Sequence, residues 1–374
     1  MVTSLFKKTP TTKSNEDLYK EMLEMESTLL GKYSGLQLSK DIEIFNVPIT
    51  LNGKEEFIHT TRCGSDEKED LVLIHGYLVG QMSFYRMMKK LSEHYRLWCI
   101  DLVGMGASSR PEFTCTTTEE TIDYFVDMIE QWRQAVGIER FHLAGQSFGG
   151  YMSTMYSLRY PEHVKKLILL TPAGVSRADV DFVRSERINE LSWLKRQAAK
   201  QISKFWERKT TPHVVYEKAG VFRKLILKVY VKRAKMSGEE FQMGYRYLDN
   251  ILKLPESTLK ALHLVLAFPQ ASAFIPLEDK FRELKMPCEI YFGQKDWINT
   301  EGAYRAKERG DFQGDIHIIP KAGHAMNFEN PNYLADLMIK HKRIEEPQIV
   351  FEACADRKLG ETFEIQTEKC VLVE

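Results

Sequence analysis

The chain has 374 residues, 43% of them apolar, and its 52 Lys+Arg balance 52 Asp+Glu for a formal net charge of zero. That length suits one large α/β domain with an insertion, and that apolar share can bury a sizeable core. Zero net charge argues against binding nucleic acid through bulk charge, so no nucleic-acid partner is expected.

Cys63, Cys99, Cys115, Cys288, Cys354 and Cys370 are scattered without paired spacing. They read as reduced thiols rather than a disulfide or zinc framework. No run of about 18 apolar residues occurs, so no membrane-spanning helix is expected. The N-terminal stretch lacks the apolar core of a signal peptide. It carries Lys7, Lys8 and Lys13 and no acid, a hint of a transit peptide. Val2 excludes N-myristoylation, and Cys370 misses the prenylation spacing by one position. A cytoplasmic protein held peripherally at a membrane is expected, with a mitochondrial one as the alternative.

In chain order, Leu18, Met22, Met25 and Leu29 repeat at helical spacing behind a candidate Ser14 cap. Strands are expected around Ile42–Thr50 and Phe57–Thr61. Short, nearly continuous apolar runs follow at Leu71–Ile74, Leu97–Ile100, Phe141–Ala144, Leu167–Leu170, Cys288–Phe292 and Ile316–Ile319. Such runs suit parallel strands covered on both faces. Helical patterns fill most gaps, among them Ile122–Val136 and Phe148–Tyr160. The alternation is that of an open, mostly parallel α/β sheet.

The rhythm breaks between 176 and 275, where no buried-strand run appears. From Leu191 to Lys235 the chain holds 13 Lys/Arg and only two acids, Glu207 and Glu217. The expected division is an N-terminal helical extension (1–38), a first core part (39–175), a basic helical lid (176–275), a second core part (276–343) and a tail (344–374).

Gly145-Gln146-Ser147-Phe148-Gly149 is a weak motif alone, but here it joins a strand to a helix, as a nucleophile elbow requires. A serine hydroxyl needs a base to take its proton and a carboxylate to orient that base. His324 and Asp296 both follow strands and come in the order Ser, acid, His that this elbow implies. His317 lies mid-strand and reads as structural. Backbone N–H groups of Tyr77 and Phe148 are the candidate oxyanion hole, while His75 and Gly76 read as structural supports. No metal-ligand cluster or C-x-x-C is apparent. Gly104-Met105-Gly106-Ala107 leads into a loop rather than a helix, which argues against nucleotide binding.

Several longer stretches carry a resemblance. They are Asp101-Leu102-Val103-Gly104-Met105-Gly106 with Ser109-Arg110-Pro111, Ile129-Glu130-Gln131-Trp132-Arg133, Thr171-Pro172-Ala173-Gly174-Val175 and Asp296-Trp297. From about Leu71 to Lys342 the chain resembles the α/β-hydrolase-fold subgroup of the cardiolipin-specific deacylase and N-acyl-phosphatidylethanolamine lipases. The comparative-gene-identification lipid-droplet coactivator belongs to the same subgroup. The resemblance implies an α/β-hydrolase fold with Ser147 as nucleophile, Asp296 as acid and His324 as base.

Two departures stand out. Gln146 replaces the more usual His before the nucleophile. Glu329 stands where acyl-transferring members carry Asp in H-x4-D. Beside that transfer role, Glu329 also reads as a loop or helix-start carboxylate ahead of Asn330-Pro331.

The expected function is a serine hydrolase acting on acyl esters of phospholipids or lysophospholipids, without a cofactor. Two alternatives remain open: acyl transfer from acyl-CoA to a lysophospholipid, and a non-catalytic lipid-binding lipase coactivator. Noncatalytic members have lost the nucleophile, whereas Ser147 is present. The expected partners are a lipid substrate and an anionic membrane or lipid-droplet surface. Lys224, Lys228, Lys232 and Lys235 are expected on one helix stripe facing that surface. Val221, Leu225 and Val229, with Phe222 and Ile226, would form an adjoining apolar stripe. Trp193, Phe205 and Trp206 suit the same boundary.

Overall fold

The computed structural model describes residues 13–177, 193, 197, 204–267 and 271–342. Eight strands form the central sheet: β1 (Ile42–Leu51), β2 (Lys54–Cys63), β3 (Asp70–Ile74), β4 (Arg96–Ile100), β5 (Phe141–Gln146), β6 (Val164–Leu170), β7 (Cys288–Gly293) and β8 (Ile316–Ile319). Their order is β1-β2-β4-β3-β5-β6-β7-β8. Pairing is antiparallel from β1 through β2 to β4 and parallel from β4 to β8.

β2 starts at Lys54, earlier than its apolar pattern suggests. Asn52 and Gly53, at φ 50° and 73°, make a two-residue turn that pairs Leu51 directly with Lys54. The hairpin ladder thus carries the polar residues 54–56 into the strand. Every residue of β3 and β5 is buried, which explains why both are mostly apolar.

The helix Thr118–Val136 opens on a capping box of Thr117 with Glu120 and closes on Gly137 in the left-handed region. It sets Trp132, fully buried, against Trp98, with Nε1–H donating to Thr60 Oγ1 at 3.0 Å. Truncating such a ring costs about 3–5 kcal/mol. The helix Phe148–Arg159 follows β5 directly and ends just before Pro161.

The Asn15–Tyr33 helix has the expected Ser14 cap, here a capping box with Asp17, and buries Leu18, Met22, Met25 and Leu29. It also buries Glu26, at 1% exposure, whose Oε1 lies 2.9 Å from His59 Nε2. His59 Nδ1 meets Asn46 Oδ1 at 2.7 Å. Sequence pattern gave no sign of this buried polar chain. The helix is tied to the Gly238–Ile251 helix by the Lys32–Glu239 and Glu21–Arg246 ion pairs. The described residues up to Lys342 belong to one compact unit, which includes this helix.

Between β6 and β7 the described residues form helices Pro212–Lys218, Arg223–Arg233 and Gly238–Ile251. Leu266–Ala267 pairs with Ser272–Ala273 over two residues, and no strand longer than this occurs between β6 and β7 among the described residues. Residues 178–192, 194–196, 198–203 and 268–270 of the expected lid, and the tail, lie outside the described residues.

Lys224, Lys228 and Lys232 are exposed on the Arg223–Arg233 helix. Lys235 does not continue the stripe. The helix has ended, Lys235 sits at φ 51°, and its Nζ donates to the carbonyls of Lys321 and Glu329, each at 3.1 Å. The apolar residues Phe222, Leu225 and Val229 are also exposed, at 67%, 61% and 54%. Leu227 and Val231, on the opposite side, are the ones buried with Tyr216 and Leu252. The side chains of Val221 and Ile226 are outside the described set. Trp193 is 69% exposed, Phe205 is exposed as well, and Trp206 packs on His263 instead. No helix of the described residues is long and apolar enough to cross a membrane.

Candidate active site

Ser147 sits in the turn between β5 and its helix with φ 54° and ψ −116°, a conformation that a non-glycine residue rarely adopts. Its backbone is held on every side. Ser147 N–H donates to Leu170 O at 2.9 Å, and its carbonyl accepts from Tyr151 and Ala173 at 3.1 and 3.0 Å. The flanking glycines permit the crossing. A Cβ at Gly145 would stand 2.4 Å from Gly149 O, and one at Gly149 would stand 2.4 Å from His75 O.

His324 Nε2 lies 3.0 Å from Ser147 Oγ, and His324 Nδ1 lies 3.2 Å from Asp296 Oδ1. With the ring proton on Nδ1 directed to Asp296, Nε2 is free to accept the serine proton. Asp296 is nearly buried, while the His324 side chain keeps 21% exposure. Ile298 N–H also donates to Asp296 Oδ1, at 3.2 Å, and Oδ2 is buried without a partner. These residues come from three loops at the carboxyl ends of β5, β7 and β8, where open α/β sheets build their sites.

The acid and base loops are joined to one another. Gln294 N–H donates to Ile319 O at 3.0 Å and Lys295 N–H to Ala322 O at 2.8 Å. Gly293 is required at this crossing, since a Cβ there would meet Gly323 O at 2.2 Å.

Gln146 bridges the site. Its Nε2 donates to His324 O at 3.2 Å, and its Oε1 stands 3.0 Å from where a Gly76 Cβ would be. The sequence marked Gln146 only as a departure from family pattern. Its amide touches both the base loop and the loop after β3, which spacing along the chain cannot reveal.

Phe148 is the first residue of its helix, so its N–H has no intrahelical acceptor. The loop carrying Gly76 and Tyr77 lies against the nucleophile, a Gly76 Cβ falling 3.1 Å from Ser147 Cβ. Tyr77 is anchored by its hydroxyl donating to Leu259 O at 2.6 Å and by its ring against Phe148.

His75 points away from this chemistry. Leu102 N–H donates to His75 Nε2 at 3.0 Å, so Nδ1 carries the proton and donates to Gly76 O at 2.6 Å. Burial pushes its pKa down to about 4, so the ring stays neutral.

His317 stands apart from the site. It meets Glu289 Oε2 at 2.7 Å and stacks on His341, with ring centroids 4.3 Å apart. Potential ligand atoms of Glu289, His317 and His341 lie within 4.8 Å of one another, a grouping absent from the sequence reading. Lys166 Nζ, 3.6 Å from Glu289 Oε1, already supplies a cation there.

Of the glycines in 104–107, Gly106 serves Asp101, while Gly104 packs against Thr258 and Ser257. The Asp101 carboxylate accepts from Gln81 and Ala107 N–H at 2.5 and 2.6 Å, and a Cβ at Gly106 would collide with it at 2.2 Å. Burial is the main cause that raises the pKa of Asp101.

Glu329 differs from the helix-start reading. It closes the short Met326–Glu329 turn, and its Oε2 accepts Gly323 N–H at 3.1 Å. It therefore braces the base loop rather than the next helix.

A cavity of about 420 Å³ opens over Ser147 and His324. Met82, Val231, Met236, Leu248 and Phe328 supply apolar wall, and Trp297 borders it. The Trp297 ring packs 5.1 Å from that of His324.

A family model described as the alpha/beta hydrolase fold matches residues 71–331. The chain is 33% identical over 291 residues to a probable 1-acylglycerol-3-phosphate O-acyltransferase of Oryza sativa subsp. japonica, covering 74% of this chain and 68% of the relative. It is 43% identical over 113 residues to a (lyso)-N-acylphosphatidylethanolamine lipase of Mus musculus, 29% of this chain and 33% of that protein. A solved naproxen esterase of Bacillus subtilis superposes with TM-score 0.62 at 17% identity, covering 89% of this chain and 100% of the esterase, a likeness of fold alone. With most of its length matched by the family model and its relatives named for lipid chemistry, the chain belongs to the α/β-hydrolase fold family, in the subgroup that includes 1-acylglycerol-3-phosphate acyltransferases and N-acylphosphatidylethanolamine lipases.

Proposed function

We propose that the protein is a serine hydrolase cleaving acyl esters of phospholipids or lysophospholipids through Ser147, His324 and Asp296. One observation carries the reading: Ser147 Oγ, His324 and Asp296 are in line at 3.0 and 3.2 Å. Ser147 Oγ attacks the ester carbonyl while its proton passes to His324 Nε2. The N–H groups of Phe148 and Tyr77 stabilise the oxyanion, each donor contributing about 3–4 kcal/mol. His324 then protonates the leaving alcohol, and water, deprotonated by His324, releases the fatty acid from Ser147. Asp296 holds the imidazole in the required tautomer.

Acyl transfer is the second reading, favoured by the relative named an acyltransferase. There the hydroxyl of a lysophospholipid replaces water in the second half, with acyl-CoA as donor. A purely non-catalytic coactivator role is disfavoured, because it leaves an aligned serine and histidine unused.

Access from a lipid surface is supported by Phe222, Leu225 and Val229, exposed beside Lys224, Lys228 and Lys232. The test is a panel of intact phospholipids and lysophospholipids, with and without acyl-CoA, offered to the purified protein. Products are read by mass spectrometry. Ser147→Ala must abolish product formation, and continued turnover would reject the reading.

A further inference from the structure

Apart from His324, the Lys, Arg and acidic side chains that line the cavity over Ser147 are Arg233, Lys295 and Glu329. The Glu329 carboxylate is engaged by Gly323 N–H. Neighbouring cations are also spent. Arg86 is held by Glu240 and by the carbonyls of Ala234 and Phe328, and Lys235 Nζ by two carbonyls. Arg233 and Lys295 are different. Both are exposed, and among the described residues neither side chain has an ion-pair or hydrogen-bond partner.

One comes from the end of an insertion helix and the other from the loop before the acid, so the fold brings two unpaired cations and one carboxylate, Glu329, to one cavity, with positive charge in excess. A neutral ester would leave both without a counter-ion. A cationic headgroup would be repelled. A phosphate would satisfy both, since a guanidinium forks two N–H donors onto its oxygens and an ammonium adds a point charge.

We infer that Arg233 and Lys295 form a phosphate-binding subsite at the rim of the cavity. It selects anionic lipids that bear a phosphomonoester or a singly charged phosphodiester. The apolar wall of Met82, Met236 and Leu248 takes the acyl chain, and the subsite fixes the headgroup so that the glycerol ester or hydroxyl faces Ser147. This rests on the proposed action at lipid esters and names the lipid class. The same phosphate chemistry could be offered by the CoA portion of an acyl donor, and the experiment separates the two sources.

The Ser147→Ala protein, which turns nothing over, is titrated by calorimetry with a short-chain lysophosphatidic acid, the equal-chain monoacylglycerol, CoA and inorganic phosphate. Lysophosphatidic acid is expected to bind at least about tenfold more tightly than monoacylglycerol, with a preference that weakens as salt rises. Arg233→Gln with Lys295→Gln should erase that preference. Arg233→Lys, which keeps charge but loses the fork, should retain part of it. Near-ultraviolet circular dichroism verifies that each variant is folded. CoA that competes while lysophosphatidic acid shows no preference would make the donor the source of the phosphate, overturning the lipid assignment.

Equal affinity for the phosphate-bearing and neutral lipids, or a preference surviving in the double variant, overturns the subsite. Failure of the hydrolase reading would appear separately, as activity persisting in Ser147→Ala.

Discussion

Gly149→Ala tests whether the turn geometry sets the catalytic distances. A methyl on Gly149 would lie 2.4 Å from His75 O and 2.5 Å from Ile74 O. Both are backbone atoms of β3 and the loop after it, so neither can rotate away. Ordinary contact is about 3.5 Å, and the elbow helix must therefore retreat from that loop by about 1 Å. The retreat separates the Phe148 and Tyr77 N–H groups, which are proposed to share one oxyanion. A misplacement of that size costs about 10²-fold in rate, and forcing a methyl into a packed contact costs about 1–3 kcal/mol of stability. The assay is kcat/KM on a short soluble ester, normalised by active-site titration, with urea unfolding in parallel. Gly310→Ala is the control: its φ of 71° gives backbone strain, but no atom lies within 4 Å of the added methyl. It should lose about 1–2 kcal/mol of stability while retaining its rate. If Gly149→Ala keeps kcat/KM within threefold of the parent, the contact does not set the oxyanion geometry and the reasoning fails.

Ser147→Ala and His324→Ala should each lower turnover by about 10³-fold or more, and the double variant should lose little further, because the two groups act as one unit. Asp296→Asn should be milder, and His317→Ala, altered away from the site, should retain turnover once folded. Glu329→Ala frees Gly323 N–H and should slow hydrolysis by less than about tenfold, since the loop keeps its ties through Gln294 N–H to Ile319 O and Lys295 N–H to Ala322 O, and a tenfold loss would need about 1.4 kcal/mol at the transition state. A changed ratio of transfer to hydrolysis, with acyl-CoA and lysophosphatidic acid supplied together, would instead give Glu329 the transfer role. Replacing Lys224, Lys228 and Lys232 with Gln should weaken binding to anionic vesicles by roughly 1 kcal/mol per charge, measured by co-sedimentation; equal binding would leave the stripe merely solvated. His142, buried with neither ring nitrogen hydrogen-bonded, has its pKa lowered to about 4 by burial. Below its ordinary value near 6.5 the unfolded chain takes up a proton that the fold refuses, so this stability is present above pH 6.5 and lost toward pH 4. The loss approaches about 3 kcal/mol, and His142→Phe should flatten that part of the urea-unfolding profile; an unchanged slope between pH 6.5 and 4 would refute the assignment.

The sheet was legible in the sequence because parallel strands buried on both faces are nearly continuously apolar, as Leu71–Ile74 is throughout and Phe141–Ala144 is apart from His142. The elbow was legible because a strand, a small-residue turn and a helix occur within a few residues of Ser147. These are local constraints, and each leaves its mark on adjacent positions. Asp296 and His324 were legible by type and order along the chain. Their alignment at 3.2 and 3.0 Å is not local, since it depends on Gly293 and Gly323 letting two loops cross.

Gln146 and Glu329 gained their contacts in the same way, from neighbours distant in sequence. Helical spacing put Lys235 on a stripe because periodicity does not say where a helix stops; the chain turns at Lys235, and its ammonium caps two carbonyls. Periodicity grouped Phe222, Leu225 and Val229 without saying whether their side is covered. Only the packing of Leu227 and Val231 against Tyr216 and Leu252 decided that it is not. Sequence fixes which side chains can share a face. Which face is buried depends on what the rest of the chain brings against it.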